Sequence, residues 1–202
     1  VVLEVPPLGP SWAADLYLER AGAAGRRPSA EDLPAVHALV ARIGGNPLAV
    51  ELGAAWAAVL DPTAILERLV ETWPVEERGT TSADPLLAVL RACWVWLTAE
   101  DQEVLLASSV FPSAFDPRGV AALTDAPARV PAALLELRRK GFVWGATGGR
   151  RLQTPDVVRR FATAERQTRG DQVTIERYAA WSASAAAQLG EAFAAGGDLR
   201  SN

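Results

Sequence analysis

Several residue types and patterns are scarce in this 202-residue chain, and each absence excludes a class of protein. Cys93 is the only cysteine, which excludes an internal disulfide and a metal cluster held by cysteines. No apolar run approaches the roughly 20 residues that a membrane-spanning helix needs. Residues 1–5 lack the basic flank of a signal peptide. We therefore expect a cytoplasmic protein that has no membrane partner.

The groups that most enzymes use are also scarce. His37 is the only histidine, and it lies in an amphipathic pattern with no evident nucleophile nearby, which favours a structural or surface role. The chain has no Gly-x-x-x-x-Gly-Lys-Ser/Thr loop to cradle phosphates and help hold Mg²⁺. We predict no catalytic residue, no bound metal and no enzyme activity for this chain.

Methionine is absent, including at the first position, so we expect a piece cut from a longer protein. Charge is unevenly distributed along that piece, whose net charge is −4. Residues 129–169 carry ten Arg or Lys side chains against three acidic ones, whereas the flanking segments are acidic. Such a basic block suits nucleic acid, nucleotide phosphates or an acidic partner, and equally a solvated helical face.

The first half predicts a small helical subdomain after a short strand at residues 1–5, which prolines end. Ser11 is expected to cap the first helix, with Trp12, Leu16 and Leu18 on its apolar face. Further along, Ser29 and Asp32 have the Ser-x-x-acid spacing of a capping box. Asp61-Pro62 is expected to open another helix.

The most informative stretch is Gly44-Gly45-Asn46-Pro47, which joins two amphipathic helices. Two glycines supply the left-handed backbone that stops a helix. Asn46 is a favoured N-cap, and Pro47 suits the first helical position because its missing N–H would be unpaired there anyway. The pattern predicts a rigid elbow that presents the ring of Pro47.

The second half of the sequence predicts more helices and one place where the apolar residues change from helical spacing to the alternation of a strand. Apolar spacing indicates helices from residue 85 to Lys140, and residues 142–144 and 151–153 alternate as a β-hairpin does. Three helices followed by a hairpin is the plan of a winged helix. The fold class expected is therefore mainly α: a helical subdomain, a winged-helix subdomain with a small β-hairpin wing, and C-terminal helices.

In their order and in their short sequence motifs, these segments resemble the middle of a STAND-class signalling ATPase of the NB-ARC type. The resemblance is strongest to bacterial regulators related to the LuxR and SARP (AfsR-like) groups. Val5-Pro6-Pro7-Leu8 matches the exit from the last core strand, and Gly45-Asn46-Pro47-Leu48-Ala49 matches the Gly-x-Pro-Leu-Ala motif. Residues 90–162 match the winged helix. The likeness covers nearly the whole chain.

The resemblance implies four segments. Residues 1–10 are the last strand and exit turn of a missing nucleotide-binding core, and residues 11–84 are the helical (ARC1) subdomain with the Gly-x-Pro motif. Residues 85–165 are the winged-helix (ARC2) subdomain, and residues 166–202 begin a helical linker or a TPR-like array. The fragment then holds no cofactor itself, while ATP or ADP with Mg²⁺ is bound by the parent ATPase, whose Walker motifs precede Val1.

The resemblance also implies nucleotide contacts. Pro47 matches the proline that packs on adenine, and Glu51, one helical turn on, can approach the base as an acceptor. At the end of the winged helix, Asp156 matches the acid of a Met-His-Asp triplet. The histidine of that triplet is Pro155 here, and proline cannot donate a hydrogen bond to a phosphate as imidazole does, so a helix-capping role is expected for Asp156.

The function implied is a conformational relay: the two subdomains close over a nucleotide and separate on exchange, in a regulator of transcription or signalling. The partners implied are the upstream nucleotide-binding domain of the same chain, a downstream TPR-like sensor, and further copies of the protein on activation.

Two alternatives stay open. A winged-helix DNA binder would use the basic residues near the wing on phosphates, namely Arg138, Arg139, Lys140, Arg150 and Arg151. The predicted third helix offers no Asn, Gln or Arg for base edges, and the seven tryptophans are expected at packing positions. The other alternative is a helical protein–protein interaction module, although residues 171–202 contain no visible repeat.

Overall fold

A computed structural model describes residues 6–72, 85–146 and 151–197, with the backbone alone for 194–197. Over these ranges the chain is mainly helical and has a small antiparallel sheet of two strands, which confirms the predicted mainly-α class. The strand expected at residues 1–5 and Arg150 of the expected wing lie outside the described residues.

The regular elements are named here in chain order. The α-helices of the described ranges are α1 (Pro10–Ala23), α2 (Leu33–Ile43), α3 (Pro47–Ala55), α4 (Pro62–Thr72), α5 (Pro85–Val95), α6 (Ala99–Ser108), α7 (Pro117–Ala121), α8 (Val130–Arg139), α9 (Asp156–Thr168) and α10 (Val173–Gly197). The strands are β1 (Trp144–Gly145) and β2 (Leu152–Gln153). Short 3-10 turns at Ala30–Asp32, Trp56–Ala58 and Pro127–Arg129 lead into or out of helices.

The chain divides into two compact units. The first comprises the described parts of Val1–Gln102 together with Leu135–Val143, and the second comprises those of Glu103–Leu134 and Trp144–Asn202. In the first unit, α1 packs on α2 and α3, and α5 packs on α2, α3 and α4. The structure thus places α5 with the first helices, whereas the sequence analysis groups it with residues 85–165.

Helix α1 differs from its prediction. It begins at Pro10 with Gly9 as N-cap, so the expectation that Ser11 caps the helix is wrong. Its buried face is Tyr17 with three alanines, Ala13, Ala14 and Ala21, while Trp12 is 72% exposed. Small side chains let α1 approach α3 closely, and this close packing overrides the hydrophobic pattern that favoured Leu16 and Leu18.

Two other helical segments begin where the sequence predicts them to begin. The Ser29 N–H donates to Asp32 Oδ2 at 2.8 Å in the predicted capping box. Asp61 Oδ1 accepts from the Ala64 N–H at 2.8 Å at the start of α4. In both places a side-chain oxygen satisfies a donor that the first helical turn would otherwise leave unpaired.

The second unit contains the sheet. Trp144 pairs with Gln153 and Gly145 with Leu152, and Leu152 also forms an isolated antiparallel bridge to Phe115. The Phe115 N–H donates to the Leu152 carbonyl at 2.7 Å, and the Leu152 N–H donates back at 2.9 Å. The segment between α6 and α7 is therefore tied to the second strand of the hairpin.

Candidate functional site

The predicted elbow is present, and its backbone is fixed from several sides. Gly44 ends α2 with φ 74°, and Gly45 follows with φ 70°, both in the left-handed region that favours glycine. Asn46 is the N-cap of α3, and its Oδ1 accepts from the Ala49 N–H at 3.2 Å. Pro47 occupies the first helical position, as predicted.

The segment before α1 crosses this elbow. The Leu8 N–H donates to the Gly45 carbonyl at 2.9 Å. A Cβ placed on Gly45 would stand 2.2 Å from the Leu8 carbonyl oxygen, closer than two such atoms can approach. Gly45 is thus required both by its positive φ and by the backbone lying on it. The proline-rich segment and the elbow form one rigid corner.

Helix α3 presents a narrow outer face from this corner. Its inner side is packed by Ala49, Val50, Leu52, Gly53 and Ala54. Pro47 is exposed, and Glu51, four residues on, lies on the same face of the helix because residues at that spacing are neighbours. The structure therefore brings the two predicted residues, an apolar ring and a carboxylate, to one surface.

The carboxylate of Glu51 has a partner that the sequence analysis missed. The Arg20 Nε donates to Glu51 Oε1 at 3.1 Å, with side-chain exposures of 47% for Arg20 and 31% for Glu51. Arg20 also lies 3.6 Å from Glu19 Oε1. The pair joins α1 to α3 across 31 residues of sequence, so no local spacing signals it. Arg20 fixes one oxygen of Glu51 while the side chain stays partly exposed.

Asp156, the third predicted contact, belongs to the second unit. It is the first residue of α9, whose N-cap is Pro155 without a side-chain cap bond, so the capping role expected for Asp156 is wrong. Its carboxylate instead accepts hydrogen bonds from Arg160 and Arg159. These bonds, that from Arg160 foremost, hold the pKa of Asp156 below its ordinary value.

The basic residues of the DNA alternative occupy different surroundings. Arg138 and Arg151 are exposed, and Arg139 is exposed with Glu136 Oε1 at 3.2 Å from its Nη1. Lys140 Nζ lies 2.7 Å from Asp101 Oδ2 and 5.4 Å from the ring centre of Trp56. The Lys140 side chain is only 16% exposed, and its charge is compensated inside the first unit by Asp101.

Two further residues singled out from the sequence, His37 and Cys93, lie on helices of the first unit. His37 is exposed on α2, and Cys93 is buried, where burial raises the pKa of its thiol to about 12. Among the described residues, no three His, Cys, Asp or Glu side chains group as a metal site would. The tryptophan expectation is wrong in part, since Trp12 and Trp144 are 72% and 46% exposed.

A scan against protein-family models finds no family that matches the chain, and a search of curated proteins finds no match. The NB-ARC resemblance therefore stays a prediction from the motifs. Within the described ranges, every helix is too short or too polar to cross a bilayer.

Proposed function

We propose that this chain is the conformational-relay module of a nucleotide-switched signalling ATPase of the NB-ARC type, in a cytoplasmic regulator of transcription or signalling. The observation that carries the proposal is the elbow: Gly45 held under Leu8, and Pro47 exposed beside Glu51. In this role the face of α3 contacts the base of a nucleotide whose phosphates are held by an upstream domain.

The chemistry of that face suits adenine. The ring of Pro47 is an apolar surface for a flat base, and a carboxylate oxygen accepts hydrogen bonds but donates none when ionised. The 6-amino group of adenine is a donor, whereas the corresponding oxygen of guanine is an acceptor that Glu51 repels. Because Arg20 holds Oε1 of Glu51, the other oxygen is available for the base.

The order of elements in the rest of the chain supports the second half of the proposal. Three helices, α6, α7 and α8, precede the β1–β2 hairpin, and the Phe115 bridge adds a third backbone segment to it. This order favours a winged helix between α6 and the hairpin, while α5, which the sequence grouped with residues 85–165, packs in the first unit. In such a relay the subdomains would move as rigid bodies, because they would make different contacts with ADP and with ATP.

The DNA-binding alternative has weaker support. Lys140 forms an ion pair with Asp101. The exposed residue in the middle of α8 is Leu135, which is 58% exposed and has no group that could hydrogen-bond to a base edge. Arg138 and Arg151 are left as exposed contacts for phosphates. Salt-sensitive binding of a labelled duplex, lost in Arg138→Ala with Arg151→Ala, would favour this function over the relay.

Saturation-transfer NMR on the 202-residue chain tests the base contact, since it detects ligand protons at millimolar affinity. Because the chain has no phosphate loop, adenosine and ADP should bind with similar weak affinity, on the order of 1 mM. Saturation should reach the adenine protons and fall at least about threefold in Pro47→Ala.

Pro34→Ala is the matched control, because Pro34 is also an exposed proline in the first turn of a helix of the same unit. It should leave the saturation unchanged. Equal signals from wild type and Pro47→Ala, or equal losses in both proline variants, would remove the elbow from nucleotide binding. Guanosine is expected to give a weaker signal than adenosine.

A further inference from the structure

Arg20 uses only part of its guanidinium within the first unit. Its Nε donates to Glu51 Oε1 at 3.1 Å, and its Nη1 lies 3.6 Å from Glu19 Oε1. Nη2 lies on the same edge of the planar guanidinium as Nε, and in the described part of the chain no group accepts a hydrogen bond from it. The guanidinium therefore presents a further donor beside the carboxylate that it holds.

The ion pair of Arg20 and Glu51 adds little to stability but fixes the positions of two polar groups. Its side chains are 47% and 31% exposed, and ion pairs this open to water are weak. What the pair does is place a carboxylate acceptor and a guanidinium donor side by side. They lie next to the exposed Pro47, since Glu51 is about one helical turn from it on α3.

An acceptor beside a donor matches one edge of adenine. The 6-amino group of adenine donates a hydrogen bond, and the ring nitrogens on either side of it, N1 and N7, accept one. Asparagine and glutamine read the 6-amino group and N7 with the same two functions on a single amide. The pair of Glu51 and Arg20 has no net charge, which suits a neutral base.

We propose that Arg20 is a second residue that contacts the base: its Nη2 donates to the ring nitrogen beside the 6-amino group, while Glu51 accepts from that group. The inference rests on the proposed function, because it needs a base on the ring of Pro47. It adds a specificity-determining residue from α1 to the face of α3. A ligand that lacks either group loses one hydrogen bond and leaves its protein partner unpaired.

A lysine substitution separates this contact from the ion pair. Lysine at position 20 can still pair with Glu51 through its ammonium, but it lacks the rigid fork that holds a second donor on the same edge. Arg20→Lys should therefore keep the fold and the carboxylate in place and lose the bond to the ring nitrogen. Arg68→Lys is the matched control, because Arg68 is exposed on α4, which packs on α2 and α5 of the same unit.

Saturation-transfer NMR titrations of the 202-residue chain test the inference with adenosine and three analogues. Purine riboside lacks the 6-amino group, 1-deazaadenosine lacks N1, and 7-deazaadenosine lacks N7. In the wild type, purine riboside and one of the two deaza analogues should bind about fivefold more weakly than adenosine. In Arg20→Lys, adenosine should weaken by about the same factor and bind no better than that deaza analogue. The analogue that loses affinity tells whether N1 or N7 is read.

The ratios of affinities distinguish a base contact from a structural role. Damage to the elbow would weaken all four nucleosides alike, and Arg68→Lys should keep the wild-type ratios. Equal binding of adenosine and both deaza analogues by the wild type, or wild-type ratios in Arg20→Lys, would overturn the inference. The proposed function would survive that result if Pro47→Ala still weakened adenosine. No adenosine signal from the wild type would overturn the proposed function and this inference together.

Discussion

The carbonyl oxygen of Leu8 lies over the α-carbon of Gly45, 2.2 Å from the position that a Cβ would occupy. The Leu8 N–H also donates to the Gly45 carbonyl at 2.9 Å, so the two backbones are locked together by one bond and one close contact. This relationship fixes the proline-rich segment before α1 to the start of α3. It couples any movement of that segment to the face that carries Pro47.

Gly45→Ala should therefore destabilise the first unit by about 3 kcal/mol. Part of the loss comes from a side chain at positive φ, and the rest from displacing the Leu8 backbone. The free energy of unfolding in urea measures the effect. Gly22→Ala is the control: Gly22 lies in α1 with nothing within 4 Å, and alanine there should be neutral or stabilising by up to about 1 kcal/mol. Similar losses in both variants would contradict the close contact.

The ion pair of Lys140 and Asp101 should stabilise the first unit far more than the exposed ion pair of Arg139 and Glu136 does. Asp101 is 6% exposed at its side chain, so Asp101→Ala leaves an ammonium largely buried without its carboxylate, at a cost of about 3 kcal/mol. Glu136→Ala breaks the Arg139 pair, whose side chains are 65% and 44% exposed, and should cost less than about 0.5 kcal/mol. Thermal or urea unfolding compares the two variants, and equal costs would show that Lys140 is not held as described.

Asp32 should titrate below its ordinary range. The Ser29 N–H and then the Ser29 hydroxyl, at 2.8 and 3.0 Å from Oδ2, lower the pKa of Asp32. Because the folded pKa is the lower one, these bonds stabilise the fold above about pH 4, and that contribution is lost as the pH falls through the folded pKa. Ser29→Ala keeps the backbone bond, so the pKa should rise only part of the way. NMR titration of the Asp32 carboxyl carbon measures it; an unchanged pKa in the variant would exclude the hydroxyl bond.

The thiol of Cys93 should be unreactive until the first unit opens. Burial raises its pKa to about 12, so at pH 8 the thiolate fraction is lower than that of a free cysteine by roughly a thousandfold. Reaction with a disulfide reagent such as DTNB should be slower than in denaturant by at least that factor. The rate should rise with urea in step with unfolding. Rapid labelling of the native chain would mean that the helices around Cys93 open readily.

Local chemistry at helix ends is what the sequence predicts best here. The glycines of the elbow, Asn46, and the Ser29–Asp32 capping box act on backbone groups within four residues, so their spacing in the chain is their spacing in space. The pairing of Asp156 with Arg159 and Arg160 has the same three- and four-residue spacing and was available from the sequence.

Tertiary partners explain what the sequence analysis missed. Lys140 belongs to a run of basic residues in the sequence. It is nevertheless largely buried in the first unit, because it pairs with Asp101, which lies 39 residues away in the chain. Arg20 reaches Glu51, and Phe115 bridges Leu152, across similar separations. The apolar face of α1 was mispredicted because alanines, which carry a weak hydrophobic signal, allow α3 to pack closely around Tyr17. None of these contacts leaves a periodic pattern in the chain.

A two-dimensional amide NMR titration of the 202-residue chain with ADP, assigned residue by residue, tests whether the face of α3 contacts a nucleotide base. If the face of α3 contacts the base, the amide signals of Gly45, Ala49, Glu51 and Arg20 should shift with ADP concentration, and GDP at the same concentration should give smaller shifts. Shifts confined to other parts of the chain, or none at the elbow up to about 10 mM ADP, would contradict the claim that the face of α3 contacts the nucleotide base.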